Sequence, residues 1–270
     1  MENLSTETVE LLKEALPFSL ALADKANELS LQWFRKTLDI DLKSDDSPVT
    51  IADRNVEKML RSTIEAQYPG HGLLGEEFGR ERLDAEHVWV VDPIDGTRSF
   101  ITGSPLWGCL IGLMQHNRPV LGLVEVPATG ERWYARRGDG AHFRSIRGEE
   151  QRCEVSRCES LAAAKLYTTS PYYFDAPDSP AIESLLDSCA VARFGGDCYN
   201  YGLLASGHID LVVESQLQPF DYLPLVTIVE EAGGIITDWQ GQPLTTASDG
   251  RVVAAATASL HREVLHALNV

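Results

Sequence analysis

The sequence has no apolar run of about 18 residues, the length that a membrane-spanning helix requires, so we predict no membrane span. Its first ten residues, MENLSTETVE, are polar and acidic and do not show the basic and then apolar segments of a signal peptide. The cysteines are few and odd in number, and they do not form a CxxC pair. That pattern disfavours a disulfide framework and a zinc site, and we expect reduced thiols in a cytoplasmic protein.

Basic residues are also scarce, since 23 Lys and Arg stand against 40 Asp and Glu, for a formal net charge of -17. A general nucleic-acid-binding protein needs a basic surface to replace phosphate counterions, so we expect no nucleic-acid partner. The same balance disfavours an anionic membrane surface. A small phosphate ester could still bind if metal ions supplied positive charge locally. The histidines form no HxxxH pair, and we assign none of them to a metal.

The periodicity of apolar residues predicts the elements only coarsely. Helical spacing covers residues 7–35, where Pro17 either kinks the helix or separates two shorter ones, and Asp53 opens a second helix. Strand-like runs follow up to about residue 135, and from about residue 150 helices alternate with short strands. We therefore expect an α+β half, residues 1–148, with the metal- and phosphate-binding residues, followed by an α/β half, residues 149–270, with the substrate pocket and the last metal ligand.

Two acids follow the strand-like run in the segment WVVDPIDGTRSF, residues 89–100. Asp92 and Asp95 would repel each other unless a positive charge lay between them. Further acids stand at the ends of other predicted elements, namely Glu76, Glu77 and Asp221. An all-oxygen set of ligands suits Mg²⁺ rather than zinc, and carboxylates can hold two such ions about 3.5–4 Å apart. The pattern therefore predicts a magnesium site.

The residues after Asp95 suggest phosphate chemistry. Gly96 would let a phosphate approach the backbone N–H groups closely, and the Thr97 hydroxyl could orient a water molecule. Taken singly, each motif also has a structural interpretation: DxxDG is common in turns, GEEFG could be a solvated loop, and Asp53 and Asp221 could be helix caps. The joint occurrence of the motifs favours hydrolysis of a phosphate ester.

Three segments together resemble the inositol monophosphatase family of lithium-sensitive, magnesium-dependent phosphatases: GEE at 75–77, DPIDGT at 92–97 and QPFDYLPLVTIVEEAGG at 218–234. The resemblance extends from Lys43 to about Gly241. It implies a layered αβαβα sandwich, two or three Mg²⁺ ions per active site and a homodimer. The metal ligands that it implies are Glu76, Asp92, the Ile94 carbonyl, Asp95 and Asp221. It makes Thr97, Asp53 and Glu76 catalytic, with Thr97 and Asp53 activating the water, and it leaves the role of Glu77 open because many relatives carry Thr or Ser there.

The leaving group must be recognised outside the metal site. Asp197 and Glu214 are the candidates, and two further acids would suit a positively charged leaving group, although the hydroxyls of a neutral polyol could also donate hydrogen bonds to them. Asp197 could equally cap the helix that follows it.

The segment RFGGDCYNYGLLASGHIDLVVE, residues 193–214, resembles the histidinol-phosphate phosphatase branch, which acts in histidine biosynthesis. The expected phosphate and substrate contacts are Asp95, Gly96, Thr97, Gly196, Asp197, Glu214 and Asp221. Inositol-1-phosphate is the alternative substrate, and a non-catalytic binding partner is the alternative to an enzyme.

Overall fold

The computed structural model describes residues 5–37, 40–42 and 48–268, so Lys43, where the resemblance begins, lies outside it. The helices of these ranges are α1 Thr6–Leu31, α2 Ile51–Gln67, α3 Thr97–Thr102, α4 Ser179–Ser188, α5 Cys198–Ala205, α6 Pro219–Glu231 and α7 Ala258–Leu268. The strands are β1 Ile40–Leu42, β2 Pro48–Thr50, β3 Gly72–Gly75, β4 Gly79–Glu81, β5 His87–Asp95, β6 Gly108–Gln115, β7 Arg118–Val126, β8 Glu131–Arg136, β9 Gly140–Arg144, β10 Glu150–Arg152, β11 Lys165–Thr168, β12 Val191–Phe194, β13 Leu211–Glu214, β14 Ile235–Thr237 and β15 Val252–Ala255. No helix of the described ranges is both long and apolar enough to cross a membrane.

The structure decides between the two alternatives for the first helix and moves the start of the second. Helix α1 continues through Pro17, so the alternative of two shorter helices is wrong. A proline removes one backbone hydrogen bond, and burial of side chains such as Leu12 and Leu22 against the sheet offsets that loss. Helix α2 is capped by Thr50, whose Oγ1 accepts a hydrogen bond from the Ala52 N–H at 3.1 Å. Asp53 is therefore the third residue of the helix, whereas the prediction opened the helix at Asp53; as the acid of the capping box it accepts a hydrogen bond from the Thr50 N–H at 2.8 Å.

The larger sheet has eight strands in the order β10-β9-β8-β7-β6-β5-β3-β4. Its neighbouring strands are antiparallel except for β3 and β5, which are parallel. Side chains along a strand point alternately to the two faces, and β5 follows this rule. Trp89 and Val91 pack with α1 and α2 on one face, whereas Val88 and Val90 pack with α5 and α6 on the other. The continuous apolar run in β5 thus reflects burial on both faces.

The smaller sheet has five strands in the order β12-β11-β13-β15-β14 and mixes parallel with antiparallel pairs. One face, with Val212 and Ala254, joins the core around α5 and α6. The other face, with Val213 and Val253, packs on α4 and α7. The order of layers is helices, sheet, helices, sheet and helices, which confirms the predicted αβαβα sandwich. The division at 148/149 stays a prediction.

Helix α6 lies in the middle layer and carries Asp221. It passes so close to β7 that a Cβ atom on Gly122 would overlap the Pro224 carbonyl oxygen. Glycine at this position therefore lets the helix approach the sheet, and the approach brings the first turn of α6 towards the end of β5. The packing of the middle layer thus sets the distance between Asp221 and the acids of β5.

Candidate active site

A cavity of about 410 Å³ lies where β5, β11 and β13 end and where α5 and α6 begin. Within the described ranges, one basic side chain, Arg98, lines the cavity. The carboxylates that line it are Glu76, Asp92, Asp95, Asp197, Glu214 and Asp221. This excess of acids gives the cavity a strongly negative potential, which favours cations inside it.

Three of the predicted metal ligands meet at one end of the cavity. One carboxylate oxygen each of Asp92, Asp95 and Asp221 lies within 4.8 Å of the other two. The pairing of β5 with β6 shifts register between Asp92 and Asp95. Such an irregularity re-aims side chains, and here both acids of the strand line the cavity. Asp92 is fixed further by the Ile94 N–H, which donates to its Oδ1 at 3.0 Å.

The electrostatics of this cluster fit a divalent cation. Burial, and then the charge of Glu76, raises the pKa of Asp92 well above its ordinary value. Burial also raises the pKa of Asp95, and burial followed by the charge of Asp95 raises that of Asp221. Carboxylates that disfavour one another's ionisation in this way bind a hard cation, which restores the ionised form of all of them. The donors are oxygen atoms throughout, as Mg²⁺ prefers.

Glu57, a buried carboxylate that was not predicted from the sequence, fixes the position of Glu76. Glu57 of α2 is inaccessible to solvent, and its side chain accepts hydrogen bonds from the backbone N–H groups of Glu77 at 2.6 Å and Phe78 at 3.1 Å. Arg61 donates to the same carboxylate at 2.8 Å. Glu57 therefore fixes the turn that follows β3 and with it the position of Glu76. The sequence signal was an acid beside Val56 on the apolar face of α2.

Thr97 and Asp53 also lie together, as predicted. The Thr97 hydroxyl is 3.4 Å from Asp53 Oδ1 and 3.1 Å from the Ile94 carbonyl oxygen. The other oxygen of Asp53 accepts hydrogen bonds from the Thr50 N–H at 2.8 Å and the Thr50 hydroxyl at 2.6 Å. The capping box of α2 thus immobilises Asp53, and one carboxylate serves both the helix terminus and the cavity.

Gly96 is needed at this point of the chain for two reasons. Its backbone is left-handed, with φ at 80°, and it precedes the first residue of α3. A Cβ atom there would lie 2.9 Å from Asp197 Oδ2, closer than real Cβ contacts come. Any larger residue would therefore push on Asp197 and strain the turn that carries Thr97.

Asp197 extends the acidic wall towards the predicted leaving group. It has a φ of 45° and a ψ of -130°, a rare conformation for a residue other than glycine, and it follows two glycines with positive φ, Gly195 and Gly196. It stands at the N-cap position of α5, as the interpretation as a helix cap requires, but its side chain makes no capping hydrogen bond to the helix. The Ser99 hydroxyl donates to it at 3.3 Å, and burial, followed by the charge of Asp95, raises its pKa to about 7. Backbone strain of this kind concentrates at functional sites.

Glu214 ends β13 and lies buried beside the cavity. Its carboxylate accepts hydrogen bonds from the Thr169 N–H at 2.8 Å and the Thr169 hydroxyl at 2.9 Å, and the Thr168 hydroxyl lies 3.3 Å away. Burial raises its pKa to about 8, and no lysine or arginine within the described part of the chain forms an ion pair with it. A cation from outside the chain that came close to Glu214 would favour its ionised form.

Several residues in or beside the cavity were not predicted from the sequence. The Cys198 N–H donates to Asp95 Oδ2 at 2.6 Å, and Ser99 contacts Asp197. Both stand within two residues of a motif residue, so a wider reading of the motifs would have included them. Thr169 and Tyr173 follow β11 at a point where the sequence shows no motif. The cavity gathers all the predicted positions except Glu77, Gly196 and Asp53, and Asp53 reaches it through Thr97.

Comparison with known proteins agrees with this geometry. The model of the inositol monophosphatase family matches residues 11–269. The chain is 43% identical over 257 residues to the bifunctional phosphatase IMPL2, chloroplastic, of Arabidopsis thaliana, covering 92% of this chain and 73% of that protein. It is 37% identical over 255 residues to the histidinol-phosphatase of Chlorobaculum parvum, covering 94% of this chain and 96% of the relative.

A solved structure gives the same result for the fold. An inositol monophosphatase from Zymomonas mobilis superposes with a TM-score of 0.86 at 42% identity, covering 96% of this chain and 98% of that one. An αβαβα sandwich with an acidic cavity is thus the architecture that the sequence predicted. Relatives named for two different substrates match over nearly the whole chain.

Proposed function

This chain belongs to the inositol monophosphatase family, and we propose that it is a phosphomonoesterase that hydrolyses L-histidinol phosphate to L-histidinol and phosphate with the help of Mg²⁺. Similarity to proteins named histidinol-phosphatases supports the phosphatase class. The observation that carries the choice of substrate is the pair Asp197 and Glu214, which add two acids to the cavity beyond those of the metal cluster. Histidinol carries an ammonium group and an imidazole, and such a leaving group complements these acids.

The residues at the metal end hold the ions and the phosphate. Glu76, Asp92, Asp95, Asp221 and the Ile94 carbonyl would bind two or three Mg²⁺ ions. Bound Mg²⁺ would neutralise the phosphate oxygens and lower the pKa of a bound water. The turn at Gly96 leaves room for the phosphate beside the backbone.

The hydroxyl of Thr97 orients the attacking water, and Asp53 accepts the hydrogen bond or proton from Thr97. Thr97 and Asp53 act as a unit, because Asp53 is too far inside the fold to contact the substrate itself. Gly196, Asp197 and Glu214 form the wall that recognises the leaving group.

Inositol-1-phosphate is the second candidate substrate. The solved structure at 42% identity is that of an inositol monophosphatase, and Asp197 and Glu214 could accept hydrogen bonds from ring hydroxyls. The two candidates differ in the charge of the leaving group, so removal of either acid separates them. Loss of a charged hydrogen bond costs about 1.5–3 kcal/mol, which corresponds to an increase in KM of roughly 10- to 150-fold.

A panel of four esters at equal Mg²⁺ tests the proposal: histidinol phosphate, inositol-1-phosphate, fructose-1,6-bisphosphate and 3′-phosphoadenosine 5′-phosphate. We expect the highest kcat/KM for histidinol phosphate, and Asp197→Asn and Glu214→Gln should each raise its KM while leaving p-nitrophenyl phosphate nearly unchanged. A higher kcat/KM for inositol-1-phosphate would replace histidinol phosphate with the second candidate. If none of the four esters were cleaved, a role as a non-catalytic binding partner would be favoured.

We also propose that the protein is a homodimer in the cytoplasm. Strand β12 lies at the edge of the five-stranded sheet, and its Val191 and Phe194 are 43% and 53% exposed. Burial of such an edge against a second copy would protect it from other pairings. Light scattering after gel filtration should give twice the mass of 29.7 kDa, and Phe194→Glu should shift the mass towards that of the monomer.

A further inference from the structure

Tyr173 occupies a position at the cavity that no motif marks. It ends a 3₁₀ turn, Pro171–Tyr173, whose start is capped by Ser170: the Ser170 hydroxyl accepts a hydrogen bond from the Tyr172 N–H at 3.2 Å. Tyr173 lines the cavity and is partly buried, whereas its neighbour Tyr172 is 91% exposed and lies outside the cavity. The turn follows directly on Thr169, the residue that fixes Glu214. The chain therefore places an aromatic ring next to the leaving-group end of the site.

A planar cation already contacts this ring. The guanidinium carbon of Arg98 lies 5.8 Å from the centroid of the Tyr173 ring, within the range of a cation–π contact. Arg98 belongs to α3, which follows β5 of the eight-stranded sheet, and Tyr173 follows β11 of the five-stranded sheet. The contact thus joins the two halves of the chain across the cavity and holds the Tyr173 ring from one side.

The charges around the ring also favour a cation. Burial raises the pKa of the Tyr173 hydroxyl, the charge of Arg98 lowers it, and the charges of Asp197 and Glu214, which also lie near the ring, raise it. The charge of Arg98 is partly balanced by Asp197, whose pKa it lowers. Glu214 has no such basic neighbour in an ion pair among the described residues. An aromatic ring with two carboxylates beside it is the arrangement that binds flat organic cations.

We propose that Tyr173 is a specificity-determining residue whose ring stacks on the flat, cation-forming heteroaromatic ring of the leaving group. Asp197 and Glu214 pair with the positive charges of the same group. This inference rests on the proposed function, because it assigns the part of the site that distinguishes an imidazole-bearing alcohol from a polyol. Tyr173 binds the ground state and the transition state equally, since its contact lies away from the reacting phosphorus. Its loss should therefore change KM and leave kcat almost unaltered.

Two phosphate esters separate recognition of the ring from recognition of the ammonium group. Histidinol phosphate carries both, whereas phosphoethanolamine keeps the ammonium and the ester and has no ring. We expect Tyr173→Leu to raise the KM of histidinol phosphate about tenfold, with kcat within about twofold of the wild type. The KM of phosphoethanolamine, or its inhibition constant if turnover is too slow, should change by less than about twofold. Tyr173→Phe, which keeps the ring, should restore the wild-type KM for histidinol phosphate.

The matched control is Tyr172→Leu, which makes the same change one residue away on the exposed side of the turn and should have no effect on either ester. Equal losses for both esters in Tyr173→Leu, or a loss in Tyr172→Leu as large as that in Tyr173→Leu, would overturn the inference, because the turn would then act only by shaping the cavity. An unchanged KM for histidinol phosphate in Tyr173→Leu would also overturn it. Failure of the proposed function gives a different result, namely a wild-type enzyme that prefers another ester before any variant is compared.

Discussion

The Thr97 hydroxyl lies 3.4 Å from Oδ1 of Asp53, a carboxylate with no exposed surface that Thr50 fixes through its backbone and side chain. The same hydroxyl lies 3.1 Å from the Ile94 carbonyl oxygen. Thr97 has one hydroxyl hydrogen, so it donates to one of these acceptors at a time. We propose that it donates to Asp53 when the Ile94 carbonyl binds a metal, which leaves its oxygen lone pairs to accept a hydrogen bond from the attacking water.

The first prediction concerns this pair. Thr97→Ala and Asp53→Asn should each lower kcat by about 10²- to 10⁴-fold, the usual contribution of a positioned general base. The kcat of the double variant should be no lower than that of the less active single variant, because the two residues act as one unit. Steady-state kinetics of the four proteins measures the coupling. Thr102→Ala, on the far turn of the same helix, is the control and should keep wild-type kcat. Losses that simply multiply in the double variant would contradict cooperation between Thr97 and Asp53.

The second prediction concerns the metal cluster. Mg²⁺ should raise the melting temperature of the wild-type protein, because a ligand that binds only the folded state stabilises it by mass action. Asp92→Asn should abolish that shift and lower turnover by orders of magnitude. Without metal, the variant should melt at or above the temperature of the wild type, because it removes one of several mutually repelling buried acids. Scanning calorimetry with and without EDTA measures the melting temperatures, and steady-state kinetics measures the turnover. An Asp92→Asn protein with a full Mg²⁺ shift would contradict the assignment of Asp92.

The third prediction concerns Glu57, which fixes the turn that carries Glu76. Glu57→Gln keeps the shape of the side chain but loses the charge that holds Arg61 and the two backbone N–H groups. We expect a loss of about 1.5–3 kcal/mol in the free energy of unfolding, together with weaker Mg²⁺ binding by calorimetric titration. Glu65→Gln on the same helix removes an exposed ion pair with Arg82 and should cost less than about 1 kcal/mol. Mg²⁺ affinity equal to that of the wild type in Glu57→Gln would limit its role to stability.

The comparison of Asp92 with Glu57 illustrates what the sequence could predict. Asp92, Asp95 and Asp221 stand at the ends or starts of predicted elements, where each acid alone has a structural explanation, but their joint occurrence and order match a known family. Their meeting in one cluster was therefore predictable, and the sandwich that brings them together was predicted with them. The strand β5 was predictable as well, because its apolar run is continuous.

Residues whose role depends on packing were not predictable in this way. Glu57 lies on the apolar face of α2, but only the fold shows that a backbone N–H group of the turn after β3 donates a hydrogen bond to it. Tyr173 sits in a 3₁₀ turn without any periodicity, and its contact with Arg98 joins segments that are distant in sequence. Asp53 was predicted to open α2, with a helix cap as the structural alternative, but Thr50 caps the helix and α2 begins at Ile51, two residues before Asp53. Local signals gave the type of element correctly and its boundary incorrectly.

The last prediction concerns His71 and stability in acid. The Trp89 indole N–H donates to His71 Nδ1 at 3.1 Å, so this nitrogen must be unprotonated in the folded state. The ring also stacks on Tyr68 and His87, with centroid distances of 4.7 Å and 4.9 Å. Burial, and then the charge of His87, lowers the pKa of His71 from 6.5 to about 4. Between these two values the unfolded chain binds a proton that the folded chain does not, so the stability that His71 contributes is complete above about pH 6.5 and is lost as the pH falls towards 4.

His71→Asn isolates this contribution, because the Asn side-chain oxygen can accept the Trp89 hydrogen bond and does not titrate. The wild type should lose up to about 1 kcal/mol per pH unit relative to the variant between pH 6.5 and 4.5, less than the limit for one proton because His71 is partly exposed and solvent screens its charge. Urea unfolding at several pH values measures this difference. Acids with raised pKa values, such as Glu214, stabilise the fold as the pH falls, but they are common to both proteins and cancel in the comparison. Parallel stability curves for the two proteins would show that His71 accepts its proton without disturbing Trp89, and the assignment of a neutral His71 would then be wrong.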